Sequence, residues 1–285
     1  MARTMGAAPF RCHLYREAIG RRLFRVIAPR PRDGLRISTN RYHETWHVIC
    51  APHHVPVLRR LFWAIAFDEH ADTLVLLAGP VLAPTPFDAA PSRPVIIARV
   101  DRTPLRNHHV AELLVRMRRR RAPDGTIKPR TFGMNAADAA EAAAPQASHS
   151  AWHKRHEHEE PRVDLVGGAI VFRGSSRALR QAALALRGLD EPLQDGKMGY
   201  QYVGESHDRP HAAGEVQVFG DYRSMLSDAR HAREDVERRG ADLSPRHLSD
   251  DVCAERAARS ARRIERRRAQ AARRGRTGTT PETMD

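Results

Sequence analysis

The sequence predicts an α+β fold, and three observations carry that prediction: segments with apolar residues at helical spacing, short β-branched runs between them, and turn residues at the joins. These elements fall into two groups on either side of a polar stretch, each group reading roughly strand, helix, strand, strand, helix. The predicted organisation is an N-terminal segment (residues 1–22), a first α+β region (23–121), a linker (122–161), a second α+β region (162–240) and an arginine-rich tail (241–285) that is helical or disordered. A single α/β domain is the alternative arrangement of the same elements.

In the first region, residues 23–27, 35–37 and 45–50 are strand candidates. A helix over 56–67 follows, with Leu58, Leu61, Phe62 and Ile65 on one face and Pro56 in its first turn. Strands are expected at 73–78 and 94–100. The next helix starts at Asn107 and places Val110, Leu113, Leu114 and Met117 at i, i+3, i+4 and i+7. It ends in four arginines, 118–121, whose charge complements the negative end of the helix dipole. The linker opens with the turn Pro123-Asp124-Gly125, then runs through an alanine-rich stretch (136–144) and a densely polar one (152–160). In the second region, a strand over 164–172 precedes a helix over 176–187 with Leu179, Ala182, Ala183 and Leu186 in register. Strands over 199–203 and 215–219 lead to a helix over 221–239 built on Tyr222, Met225, Leu226 and Ala229. Asn107, Ser176 and Asp221 stand where N-caps belong, and Gly188 and Gly240 where helices stop.

Composition bounds the function. Hydrophobic residues make up 41% of the 285, enough for a folded core, while the formal net charge is +14. Lysine occurs only at 128, 154 and 197, so arginine carries nearly all the positive charge. Such a balance favours polyanionic partners. The three cysteines, Cys12, Cys50 and Cys253, form no C-x-x-C pair, which fits a reducing compartment. No secretory signal is visible, and the longest apolar run, 74–82, is broken by Gly79 and Pro80 and is too short to cross a bilayer. These features predict a cytoplasmic, bacterial-type protein with no membrane partner.

The sharpest local pattern is His43-Glu44-Thr45-Trp46-His47, an H-E-x-x-H, with His53 six residues further on. On a helix, residues i and i+4 share a face, so His43 and His47 reach one zinc ion while Glu44 activates its bound water. The stretch resembles the zinc-site motif of the metzincin and snapalysin-like metalloproteases. That resemblance implies His43, His47 and His53 as ligands, Glu44 as general base, and a zinc-dependent hydrolase. Thr45, Val48 and Ile49 also suit a strand, in which His43 and His47 stand about 13 Å apart, too far for one ion. Zinc is expected only under the helical reading, and no other cofactor is expected. A second histidine cluster (His149, His153, His156, His158) and the polar loop 204–214 read as solvated segments. Gly174-Ser175-Ser176 reads as a capped helix start.

The tail carries Arg262, Arg263, Arg266, Arg267, Arg268, Arg273, Arg274 and Arg276 and shows no apolar stripe from Ser249 onward. Guanidinium groups match phosphate oxygens, and each phosphate neutralised releases condensed counterions. No aromatic residue follows Tyr222, so base stacking is not on offer. The expected function is non-specific association with a DNA or RNA backbone, or with an acidic protein, through a free-standing arm.

Overall fold

The computed structural model describes residues 10–31, 34–120, 122–143, 161–204, 214–240 and 244–277. The chain is an α+β protein with a seven-stranded and a four-stranded sheet. It divides into two compact units. One comprises residues up to 83 and from 92 to 221; the other comprises residues 84–91 and everything from Tyr222 onward.

Strands β1 (Cys12–Ile19) and β2 (Arg22–Pro29) form a hairpin whose turn uses Gly20 at φ +57°. A second hairpin, β3 (Ile37–Tyr42) and β4 (Thr45–Cys50), leads into helix α1 (Val55–Ala66). Then come β5 (Thr73–Leu77), β6 (Val95–Arg99), α2 (Asn107–Arg119), the short β7 (Gly125–Ile127) and α3 (Met134–Ala143). The remaining elements of this unit are β8 (Arg162–Val166), β9 (Ala169–Gly174), α4 (Ser176–Ala185), β10 (Met198–Gly204) and β11 (Gly214–Phe219). The larger sheet has the order β7-β1-β2-β5-β6-β9-β8 and the smaller one β10-β11-β4-β3.

Strands from both sides of the expected linker therefore share both sheets: β9 lies parallel to β6, and β11 parallel to β4. Apart from residues 84–91, the first region read from the sequence and residues 162–221 of the second thus belong to one unit, and the helix that closes the second region belongs to the other. Local patterning fixes which residues of a strand are buried but not which strand lies beside it. A clue was present in β6 and β9, which are apolar at nearly every position, as suits central strands covered on both faces.

Alternation makes that double coverage concrete. Phe24, Val26, Leu74, Leu76, Ile96, Ala98 and Val171 join Val110, Leu113 and Leu114 of α2 in one core. Their neighbours Ile27, Val75, Leu77, Ile97, Ile170 and Phe172 belong to the other core, with the apolar faces of α1 and α4. Trp46, Val48, Cys50, Val216 and Val218 of the smaller sheet complete it. Each fully buried leucine or isoleucine here contributes about 1.5–3 kcal/mol by leaving water.

Other departures from the sequence reading have local causes. The single strand expected at 164–172 is two, because Gly167 (φ +54°) and Gly168 (φ +91°) turn the chain between β8 and β9. A Cβ on Gly167 would lie 2.6 Å from the Asn107 carbonyl oxygen and 2.7 Å from the Ala111 nitrogen, so the turn seats directly on the first turn of α2. The side chain capping α4 is Ser175, which accepts from the Ala178 N–H at 3.1 Å, rather than Ser176. Asn107 is likewise the first helical residue of α2 and Arg106 its cap.

Regular structure occurs within the stretch expected as a linker. β7 pairs with β1, and α3 is built from the alanine-rich stretch, alanine being the strongest helix former. Arg59 of α1 is only 5% exposed; it donates to the Ala183 carbonyl at 2.9 Å and pairs with Asp138 of α3. The Trp63 indole N–H donates to the Phe132 carbonyl at 3.1 Å, fixing the approach to α3.

Candidate nucleic-acid interface

The second unit is built on two helices, α5 (Tyr222–Arg238) and α6 (Pro245–Thr277). In α5, Tyr222, Met225, Ala229, Ala232 and Val236 are buried, a stripe at helical spacing that ends before Gly240 (φ +68°). The chain then reverses, and Leu248 and Val252 of α6 pack on Ala232 and Val236. The loop 84–91 is held to both helices: the Asp88 carbonyl accepts from Arg233 at 3.0 Å, and its carboxylate accepts from the Ser249 hydroxyl at 2.6 Å. Arg256 lies over the Phe87 ring at 5.9 Å.

This corrects the reading of the tail as a free-standing arm without an apolar stripe. The stripe is real but short: Leu248 and Val252 are one turn apart, and the one large apolar residue beyond them up to Thr277, Ile264, is exposed. A helix with so little apolar surface needs other support, and carboxylates supply it. Glu255 lies 3.3 Å from Arg239 and 3.1 Å from Arg262, Asp235 pairs with Arg259, and Asp228 lies 3.4 Å from Arg263. These contacts step along the two helices in antiparallel register. Arg259 and Arg238 together hold the Asp235 carboxyl below the usual carboxylate range, with the hydrogen bond from Arg259 the largest cause.

The eight nominated arginines thus separate into groups. Arg262 and Arg263 are engaged by the chain's own acids. Arg266, Arg267, Arg268 and Arg273 are exposed, on a stretch where Glu265 is the only acidic residue between Arg256 and Thr277. Arg274 and Arg276 fall within the span of α6. At 100° per residue, Arg262, Arg266 and Arg273 project within about 40° of one another and span about 16 Å of axis. The geometry is that of a straight cationic rail.

The H-E-x-x-H segment adopts the strand reading, which corrects the helical one. His43 (φ 45°) and Glu44 (φ 65°) form the exposed two-residue turn between β3 and β4; positive φ at both central positions is what a tight hairpin turn needs. His47 is on β4, and His53 sits in a separate short 3-10 turn, Pro52–His54. The helical face that would bring two imidazoles and a carboxylate together is replaced by a hairpin. Among the described residues, no group of three or more histidine, cysteine, aspartate or glutamate side chains is placed to hold a metal ion. The histidine cluster at 149–158 and the polar residues 205–213 lie outside the described residues.

His47 belongs instead to a constellation that sequence reading missed. On the sheet face turned away from the core, cross-strand register sets Tyr202, Glu215, His47 and Asn40 in one row across all four strands. Glu215 and His47 are each 5% exposed. Burial pushes the Glu215 carboxyl up, against hydrogen bonds from Gln217 (2.7 Å) and Tyr202 that pull it down. Burial, and secondarily the nearby His43, pulls the His47 imidazole down. Both groups are driven toward their neutral forms. Only strand pairing, which local sequence does not encode, could have revealed this row.

The three cysteines are free thiols, and among the described residues no helix is long and apolar enough to cross a membrane. Comparison of the chain with known protein families, curated proteins and solved structures finds no match.

Proposed function

We propose that the protein binds nucleic acid through the distal half of α6, by contact with the phosphate backbone rather than by reading bases. The observation that carries this reading is the division of charge along one helix. Arg259, Arg262 and Arg263 are offset by acids of α5 and α6, whereas Arg266, Arg268 and Arg273 are exposed on a stretch of sequence whose one acid is Glu265. Phosphate contacts of this kind fix position on a duplex and carry no sequence information. Arginine is the residue suited to them, because its planar fork of donors meets phosphate oxygens two at a time.

The test uses the full chain. Truncation after Arg239 would strip Leu248 and Val252 from α5 and expose Ala232 and Val236, so a loss of binding could reflect a loss of folding. Replacement of Arg266, Arg268 and Arg273 by glutamine leaves those contacts alone. Fluorescence anisotropy with a labelled duplex in 50 mM salt should show at least about tenfold weaker binding for the triple variant, with little dependence on duplex sequence. Equal affinity in a variant of unchanged helicity would overturn the proposal.

A further inference from the structure

A single helix, α2, covers one face of the seven-stranded sheet. A sheet of that width extends about 29 Å across its strands, while a helix covers about 10 Å. Part of the face is therefore left open, and beyond the C-terminal end of α2 it forms a cleft of about 560 Å3. Leu76, Leu114 and Met117 line its floor, and Pro29, Pro31, Pro80 and Pro123 are set around it. Prolines hold their backbone in one conformation, so little ordering is needed when something binds.

The polar lining is sparse: Ser92 and four larger side chains. Tyr15 and His13 project from β1, with ring centroids 6.1 Å apart, and Arg118 and Arg120 come from the end of α2. Both charged groups on the lining are cations, and no carboxylate among the described residues lines it. The end of a helix carries partial negative charge, which alone would repel an anion. Arg120 does not offset it, being paired with Asp124 and Glu17, the latter at 3.6 Å; the exposed Arg118, a full charge against a fraction of one, does. Burial raises the Tyr15 phenol, Arg120 lowers it and Asp124 raises it, with a net upward shift that keeps the hydroxyl a donor at neutral pH.

We infer that this cleft is a binding site for a small amphipathic anion: an apolar body of one or two rings resting on the sheet, with a carboxylate facing Arg118 and Tyr15. Clefts of 300–1,000 Å3 with apolar walls and a few convergent polar groups are the size and composition that hold small organic ligands. The site is separate from α6 and does not depend on the nucleic-acid reading.

The experiment is calorimetric titration of the full chain with three probes: 2-naphthoate, its neutral counterpart 2-naphthalenemethanol, and acetate. Saturable binding of naphthoate, about tenfold weaker binding of the alcohol and none of acetate are expected, since a charge-assisted hydrogen bond is at stake. Arg118→Gln should remove the preference for naphthoate over the alcohol. Ala78→Phe, which fills the cleft from the end of β5, should abolish binding of both. Substituting Arg266, Arg268 and Arg273 with glutamine should change nothing, which separates this site from the tail. The inference is overturned if naphthoate does not bind at millimolar concentration, if it binds no better than the alcohol, or if it loses affinity with the tail arginines. Should Ala78→Phe fail to fold, the Arg118→Gln selectivity decides the matter.

Discussion

Gly167 offers a sharp test of the finding that residues on both sides of position 150 form one body. Its φ of +54° costs an L-residue about 1–2 kcal/mol. A methyl group there would also press on backbone atoms of α2 at 2.6 and 2.7 Å, which forces the turn and the helix apart. Overpacking of this kind costs about 1–3 kcal/mol more, for a total of about 2–5 kcal/mol. Gly168 is the internal control, because its φ is +91° but a Cβ there meets nothing within 4 Å. Gly168→Ala should carry only the conformational part, about 1–2 kcal/mol. Urea unfolding followed by tryptophan fluorescence and by circular dichroism gives both values, with the midpoint lowered and the slope unchanged. Equal effects at the two glycines would refute the seating of the β8–β9 turn on α2. Loss of only one region's signal in Gly167→Ala would refute the single body.

Three further outcomes follow from the same geometry. Neutralising the carboxylates that hold α6, by Asp228→Asn, Asp235→Asn and Glu255→Gln together, leaves three more net positive charges; binding to duplex DNA should tighten and its salt dependence steepen by about 2.7 logarithmic units per decade. Unchanged binding in a variant that keeps its helicity would show that those acids do not offset the arginines. Glu215→Gln should raise the melting temperature at pH 7–8, and the gain should shrink as pH falls toward 4.5. The folded state holds the Glu215 proton above the ordinary carboxylate value, so the cost of ionising it is absent below that value and complete above the raised one. A gain equally large at acid pH, read by calorimetry, would contradict this. Burial pushes the Cys50 thiol up to about 12 and leaves Cys12 fully buried, so alkylation by iodoacetamide at pH 8 should reach both only after unfolding. Rapid modification of either in the native state would count against the packing described.

What the sequence disclosed, and what it withheld, divides along physical lines. Periodicity located α1, α2, α4 and α5 to within a residue or two, and β4 in full, because burial on one face leaves its mark in the local pattern. Strand partners left no such mark. The pairings β6 with β9 and β4 with β11 join residues more than 70 and 160 positions apart, so strands of both apparent regions fold into one unit. The alanines of α3 looked like filler, since alanine forms helix without announcing a buried face. The hairpin at His43 and Glu44 lacks the glycine or asparagine that usually signals such a turn, which left a helical motif open there.

The tail shows the same limit at the level of the site. Its charge was plain in composition, and helix formers predicted its backbone. That Arg262 and Arg263 are engaged internally while Arg266, Arg268 and Arg273 are exposed depends on where Asp228, Asp235 and Glu255 fall after the chain reverses at Gly240. No local window contains that information. The row formed by Tyr202, Glu215, His47 and Asn40 was hidden for the same reason, as its members come from four strands.

The most direct measurement is the slope of log binding constant against log salt concentration for the full chain on a short duplex. Arg266, Arg268 and Arg273 each displacing a counterion give a slope of about −2.7. A slope indistinguishable from zero, with binding intact, would mean that the distal half of α6 does not engage phosphate.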